Sequence, residues 1–207
     1  MLNIVKGIIL DSRVTVHLCP RLDHGPMPVV HGIILHQTGG SAITSAFGKY
    51  ENKKSPDRTG AHFLIDNDGT LYQTLQVNRC CAHVAPIKSR CLVEMSCTAE
   101  DTKAYAAMEK VAGNTWNGVY ARAEGNYEAK KSFPLRFPYN PDAIGIEVVG
   151  KPAGKSNIYE NPTIQQNDTV HWLVAELLQS LKIGPKEVYR HPVVSRKNDT
   201  EAQGITW

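Results

Sequence analysis

The chain has 207 residues, enough for one ordinary domain with a substantial apolar core. Its hydrophobic fraction of 42% and charged fraction of 21% are typical of a globular protein. The net charge of +3 comes from 23 basic and 20 acidic residues, and without a concentrated basic run it argues against a nucleic-acid-binding role.

The amino-terminal segment, MLNIVKGIILDSR, does not have the pattern of a secretory signal peptide. Lys6 interrupts its apolar stretch and Asp11 closes it. No stretch approaches the roughly 18 apolar residues of a membrane span. We therefore expect a protein that is made in the cytoplasm without a standard export signal and has no membrane span.

A buried strand and a helix are predicted next. Residues 29–38, VVHGIILHQT, do not alternate between apolar and polar side chains, which favours a fully buried strand ending near His36. Residues 41–50 predict a helix with Ser41 as its N-cap. The apolar positions of that helix recur at helical spacing: Ile43, Phe47 and Tyr50.

A β-hairpin follows this helix. Residues 63–65 form one predicted arm and residues 71–73 the other, with the turn sequence Asn67-Asp68-Gly69 between them. His62, directly before the first arm, fits a structural position better than a catalytic one.

Residues from about 85 to 142 predict a surface excursion within the domain. A helix is expected at about 99–112, with Thr98 as its N-cap and Gly113 at its end. Its inward side is predicted to carry Tyr105, Met108 and Val111. Long excursions inside compact domains are often binding walls or lids.

The carboxy-terminal third combines a strand, a long helix and a short strand. Residues 143–150 predict a core strand in which Glu147 stands among apolar residues. A helix is predicted at 164–183, with a capping box formed by Thr163 and Gln166. Its apolar face is Val170, Leu173, Leu177 and Leu181, and Gly184-Pro185 should end it. Residues 187–191 predict a strand, and the whole order favours an α/β or α+β fold around one sheet.

Three strand ends could meet in a metal site. His36 and His191 each close an apolar strand, so they can reach one ion if the strands are neighbours. Catalytic zinc usually has three protein ligands, and Asp199 or Glu201 could supply the third. Glu147 would suit a general base and Lys197 an oxyanion-stabilising cation. Structural roles remain open for each of these residues, because spacing alone does not join distant residues.

The five cysteines show no zinc-ribbon spacing. Cys91 and Cys97 could form a disulfide in an oxidising compartment. Five unpaired thiols are an equally acceptable interpretation.

In combination, several segments resemble the zinc-dependent N-acetylmuramoyl-L-alanine amidases, a family that includes peptidoglycan recognition proteins. The matching segments cover about half of the chain and are GIILHQTGG, GAHFLIDNDGTLYQTL, AHVA, AIGIEVVG and YRHPVVSRKND. The resemblance implies a single domain over residues 1–207, with a central mixed β-sheet flanked by helices and a zinc site at the rim of the sheet. The excursion at about 85–142 is longer than in minimal members of this family, so substrate specificity could lie there and is not carried over from the family.

The resemblance assigns roles to individual residues. It implies Zn²⁺ bound by His36, His191 and a third residue, which the spacing from Lys197 favours as Asp199 over Glu201. Glu147 matches the catalytic glutamate and Lys197 a catalytic lysine. His83, in AHVA, matches a position near the substrate.

The implied activity is hydrolysis of the amide between N-acetylmuramic acid and L-alanine in peptidoglycan or a muropeptide. The hairpin and the YRHP segment look most like antibacterial type VI secretion effectors, which act in the periplasm of rival cells and are blocked by an immunity protein. The alternatives are a non-catalytic peptidoglycan-binding module, a cytoplasmic muropeptide-recycling amidase, a phage endolysin and a hydrolase of another amide.

Overall fold

A computed structural model of the protein describes residues 1–112, 118–155 and 157–207. The strands are β1 (Ile4–Val5), β2 (Ile8–Ile9), β3 (Val14–Val16), β4 (Gly32–Gln37), β5 (Phe63–Ile65), β6 (Leu71–Gln73), β7 (Ala143–Val148), β8 (Pro152–Ala153), β9 (Ile158–Tyr159) and β10 (Val188–Arg190). The α-helices are α1 (Ile43–Glu51), α2 (Arg90–Val93), α3 (Ala99–Ala112), α4 (Gly118–Glu128), α5 (Ile164–Leu181) and α6 (His191–Val194), and a 3₁₀-helix spans Pro20–Leu22.

A six-stranded mixed sheet organises the molecule, in the order β10-β4-β7-β5-β6-β3. All neighbouring strands are parallel except β5 and β6, which form the predicted antiparallel hairpin. The hairpin turn is closed by the Asp66 amide, which donates to the Thr70 carbonyl at 2.9 Å. This arrangement confirms the predicted α/β fold with a central mixed sheet.

One face of the sheet is apolar and is covered by α5. The capping box at Thr163 and Gln166 is present as predicted. The side chains buried between helix and sheet include Val170, Leu173 and Leu177 from α5 and Ile33, Leu35, Ile144 and Ile146 from the strands. The predicted end of the helix was wrong by two residues, because Lys182, in a left-handed conformation (φ 55°), ends it before Gly184.

The opposite face of the sheet is covered by α1 and by the excursion. Ala46 and Tyr50 of α1 pack against Leu64 on this face. The predicted N-cap Ser41 was wrong: the cap is Ala42, without a side-chain bond, and the Ser41 carbonyl accepts a hydrogen bond from Asn67.

The excursion holds α2, α3 and α4 and a disulfide between Cys91 and Cys97. The predicted cap of α3 is confirmed, since the Asp101 amide donates to Thr98 Oγ1 at 3.1 Å. The inward placement of Val111 was wrong, because this side chain is 83% exposed. The predicted stop at Gly113 lies outside the described residues. None of the helices in the described ranges combines the length and apolar character needed to cross a membrane.

Candidate metal centre and catalytic cleft

Three functional candidates lie at the carboxyl ends of adjacent parallel strands. β4 lies between β10 and β7, so the ends of these strands are side by side. His36 on β4 is the register partner of Glu147 on β7, and both therefore project from the same face. His191 follows β10 as the first residue of α6. Carboxyl ends of parallel strands are a recurrent place for functional sites in open α/β sheets.

His36, His191 and Glu201 form a buried cluster. One ligand-type atom from each residue lies within 4.8 Å of the others. Nδ1 of His191 is 3.0 Å from Glu201 Oε1, and Nδ1 of His36 is 3.7 Å from the same oxygen. All three side chains are more than 90% buried.

The third member of this cluster is Glu201, whereas the spacing to Lys197 favoured Asp199. A tight turn explains the difference, because the Glu201 amide donates to the Asn198 carbonyl at 2.9 Å. The turn leaves Asp199 exposed to solvent. Gln37, at the end of β4, then accepts the Ala202 amide at 2.8 Å and so holds Glu201 against the strand.

Glu201 is held as an anion and His36 as a neutral ring. Burial by itself would raise the pKa of Glu201, but the hydrogen bond from His191 and the closeness of the His36 ring outweigh burial and lower this pKa to about 2. Burial, together with the nearby His191, lowers the pKa of His36 to about 4. A carboxylate with neutral imidazoles is the protonation state that a metal ion requires of its ligands.

His83 determines which nitrogen of His36 carries the proton. Nε2 of His83 lies 3.2 Å from the Ala143 carbonyl, which can only accept, so this nitrogen donates. Burial lowers the pKa of His83 well below its ordinary value, so the ring is neutral and its Nδ1 is an acceptor. The His36 Nε2–H therefore donates to His83 Nδ1 over 3.0 Å.

The consequence is that Nδ1 of His36 presents a lone pair towards the anionic Glu201. Two electron-pair donors that face each other in a buried site are stabilised by a cation between them. Nε2 of His191 is also buried and has no hydrogen-bond partner among the described residues. The donor set thus fits a metal ion on the geometry of this chain alone.

His83 lines the cleft, as a position near the substrate requires, and its ring also contacts His36. The ring lies over Gly145, where even an added Cβ would be 2.9 Å from Nδ1. Both ring nitrogens are engaged within the protein, so His83 orients His36. His62 is structural as predicted, since it accepts the Gly145 amide and donates to the Arg79 carbonyl.

Glu147 lies in the cleft beside the cluster and is held by Tyr50. The Tyr50 hydroxyl donates to Glu147 Oε2 at 2.7 Å. Burial raises the pKa of Glu147, and the negative charge of Glu201 adds to this, while Tyr50 and Lys49 oppose it. A raised carboxyl pKa suits a group that accepts and returns a proton near neutral pH.

The cluster opens into a cleft of about 410 Å³. Lys197 lines this cleft with its side chain exposed, and its charge reaches His36, whose pKa it helps to lower. The sequence reasoning missed several other polar side chains of the cleft, among them Lys49, Asn140 and Tyr159. None of them has a distinctive spacing, because each comes from a different part of the chain.

Comparisons with known proteins identify the family and agree with the fold. The model of the N-acetylmuramoyl-L-alanine amidase family matches residues 25–202. A selenomethionine AmpD crystal structure is similar over 96% of this chain and 92% of its own, with 16% identity and a TM-score of 0.57. The amidase LysC from Clostridium intestinale URNW is similar over 90% and 87%, with 16% identity and a TM-score of 0.51. The catalytic domain of XlyA is similar over 89% and 87%, with 18% identity and a TM-score of 0.50. No curated protein matches the chain.

Proposed function

Because this chain belongs to the N-acetylmuramoyl-L-alanine amidase family, we propose that it is a zinc-dependent peptidoglycan hydrolase. Its proposed reaction is hydrolysis of the amide between N-acetylmuramic acid and the L-alanine of the stem peptide. The observation that carries the proposal is the convergence of His36, His191 and Glu201 in one cleft with the partly buried carboxyl of Glu147.

Zn²⁺ is the metal that suits two imidazoles and one carboxylate with a further position open to the cleft. When bound, it would polarise the scissile carbonyl and lower the pKa of a water molecule. The chain contributes the orientation of the ligands: His83 fixes the tautomer of His36, and Gln37 holds the backbone beside Glu201.

Glu147 is the proposed general base and acid. As a carboxylate it accepts a proton from the attacking water, and as an acid it returns that proton to the leaving amine. Tyr50 keeps the carboxyl oriented through its hydroxyl. Lys197 provides positive charge at the open side of the cleft, where the oxyanion of the tetrahedral intermediate develops.

The biological role that we propose is that of an antibacterial effector, delivered by a type VI secretion system to the periplasm of rival cells. The disulfide between Cys91 and Cys97 supports work in an oxidising compartment. A producing cell would then need an immunity protein that blocks the cleft. Expression directed to the periplasm of a bacterium should be toxic and expression in its cytoplasm harmless, and absence of periplasmic toxicity would contradict the role.

The activity is tested by digestion of purified peptidoglycan sacculi with zinc-loaded and chelator-stripped protein, followed by mass spectrometry. Free stem peptides that begin at L-alanine, lost on stripping and recovered with zinc, are the expected result. Binding without cleavage by protein shown to contain zinc would indicate a binding module. Cleavage of another bond would retain a hydrolase but reject the proposed bond.

The third ligand is tested by a matched pair of variants. Glu201→Gln should lower zinc affinity by more than the roughly 10–100-fold that loss of an outer-shell partner costs. Asp199→Asn, two residues away and exposed, should leave zinc affinity unchanged. Chelator competition measures both affinities, and the reverse ranking would restore Asp199 as the ligand.

A further inference from the structure

A second group of metal-ligand side chains lies at the far edge of the sheet from the cleft. It consists of His17 and Cys19, which follow the edge strand β3, and Glu51, the last residue of α1. One nitrogen, the sulfur and one carboxylate oxygen lie within 4.8 Å of one another. Nε2 of His17 is 2.7 Å from Glu51 Oε1.

The backbone holds these donors in place. The His17 amide donates to the Gln73 carbonyl at 2.9 Å, and the Cys19 amide donates to the Thr74 carbonyl at 2.8 Å. The imidazole of His17 is stacked on Phe47 of α1, with ring centroids 4.2 Å apart. Three donors from two segments are therefore oriented together before any ligand binds, which lowers the entropic cost of binding.

The burial of the three side chains is graded towards solvent. Cys19 is only 1% exposed, whereas the side chains of His17 and Glu51 are 42% and 53% exposed. An ion held by the buried sulfur would thus have the other two ligands and a free coordination position on its outer side. The partly exposed side chains of His17 and Glu51 thus leave a path by which an ion can reach the buried sulfur from solvent.

We propose that His17, Cys19 and Glu51 form a second metal site, which binds one divalent transition-metal ion of the Zn²⁺ type independently of the catalytic cleft. The combination of imidazole nitrogen, thiolate sulfur and carboxylate oxygen suits Zn²⁺ and does not suit Mg²⁺ or Ca²⁺, which prefer oxygen ligands. The site requires neither the proposed amidase activity nor the ligands of the cleft.

The Cys19 thiol is protonated in the absence of a cation. Burial raises its pKa to about 11, and the nearby negative charge of Glu51 acts in the same direction. Binding of a metal displaces the thiol proton to solvent and places the cation between the sulfur and the carboxylate.

The position of Glu51 links the second site to the cleft. Glu51 follows Tyr50 directly, and Tyr50 is the residue that holds Glu147. An ion bound by Glu51, His17 and Cys19 cross-links the last turn of α1 to the segment that follows β3. Its expected effect is to stabilise α1 and thereby the orientation of Tyr50.

Cobalt(II) titration of the metal-free full chain, under anaerobic conditions that leave the Cys91–Cys97 disulfide intact, tests the proposal. The cleft ligands His36, His191 and Glu201 include no sulfur, so a thiolate-to-cobalt charge-transfer band that depends on Cys19 reports the second site and not the cleft. We expect two Co²⁺ per chain and a charge-transfer band that persists in His36→Ala. The band should be lost in Cys19→Ser and retained in the matched control Cys80→Ser, a partly exposed cysteine outside the group.

Two further variants test the site without replacing the buried Cys19, whose substitution could disrupt folding. His17→Gln and Glu51→Gln alter partly exposed side chains, and each should weaken the band-forming site by at least about tenfold. Absence of the charge-transfer band in the wild type would overturn the proposal. A band that survives Cys19→Ser, or that His17→Gln and Glu51→Gln leave unweakened, would overturn it as well. Failure of the cleft site would instead leave the band and remove the other equivalent of Co²⁺.

Discussion

The two faces of the central sheet use the same strands for different purposes. On the α5 face, Ile33, Leu35, Ile144 and Ile146 pack against apolar helix side chains. On the opposite face, the same two strands present His36 and Glu147 to the cleft. Side chains alternate along a strand, so a single residue separates a core position from a functional position.

The two faces differ in the kind of side chain that they bury. The α5 face stabilises the fold by excluding water from apolar surface. The cleft face buries histidines and carboxyls and satisfies them through specific contacts, such as Tyr50 with Glu147 and His83 with His36. Substitutions on the first face should therefore change stability, and those on the second should change metal binding and catalysis.

Glu147→Gln should give the largest effect, on the cleft face. Loss of a general base and acid is expected to lower kcat by about 10²–10⁴-fold, measured as release of stem peptides from sacculi. The free energy of unfolding at neutral pH should stay equal or rise. Because the pKa of Glu147 is raised in the folded protein, its ionisation at neutral pH lowers the free energy of unfolding. A glutamine, which does not ionise, removes this cost. A variant that unfolds more readily and retains activity would contradict the division between the faces.

Leu173→Ala tests the α5 face. Leu173 is fully buried, so its truncation should lower the free energy of unfolding by about 2–5 kcal/mol, measured by chemical denaturation. Zinc affinity and kcat of the folded fraction should not change. The matched control is His171→Ala, an exposed position on the same helix, and a similar loss of stability there would argue against the packing explanation.

His83→Ala separates positioning from substrate contact. It leaves the buried His36 Nε2–H without its acceptor, so zinc affinity should fall by about 10–100-fold in chelator competition. His83→Asn, whose amide oxygen can still accept, should recover part of the loss. Unchanged zinc affinity with a raised KM would instead support the substrate contact predicted from the sequence.

Tyr50→Phe should give the smallest effect, a change in pH dependence. The Tyr50 hydroxyl lowers the pKa of Glu147, so its removal should raise that pKa further. Because Glu147 must be ionised to act as a base, the acidic limb of kcat/KM should move to higher pH in Tyr50→Phe. A limb that stays in place or moves to lower pH would show that Glu147 does not determine it.

Local patterns were enough for much of the architecture and for part of the site. The unbroken apolar strand before His36, the hairpin and the capping box at Thr163 are properties of short segments, and the structure confirms them. The pairing of β4 with β10, which brings His36 and His191 together, is a long-range consequence. From the sequence, the meeting of His36 and His191 could be predicted only if their two strands are neighbours. The resemblance to the family was the other route to the same prediction.

Contacts between distant segments decided the rest. The choice of Glu201 over Asp199 depends on the turn at Asn198 and on the bond from Ala202 to Gln37, 165 residues away. The position of His83 depends on Gly145, which leaves room for its ring. Strand and helix periodicity indicates which side of a segment is apolar, because that pattern lies within the segment's own sequence. Ligand sets and tautomers depend on which segments meet, and only the tertiary structure determines that.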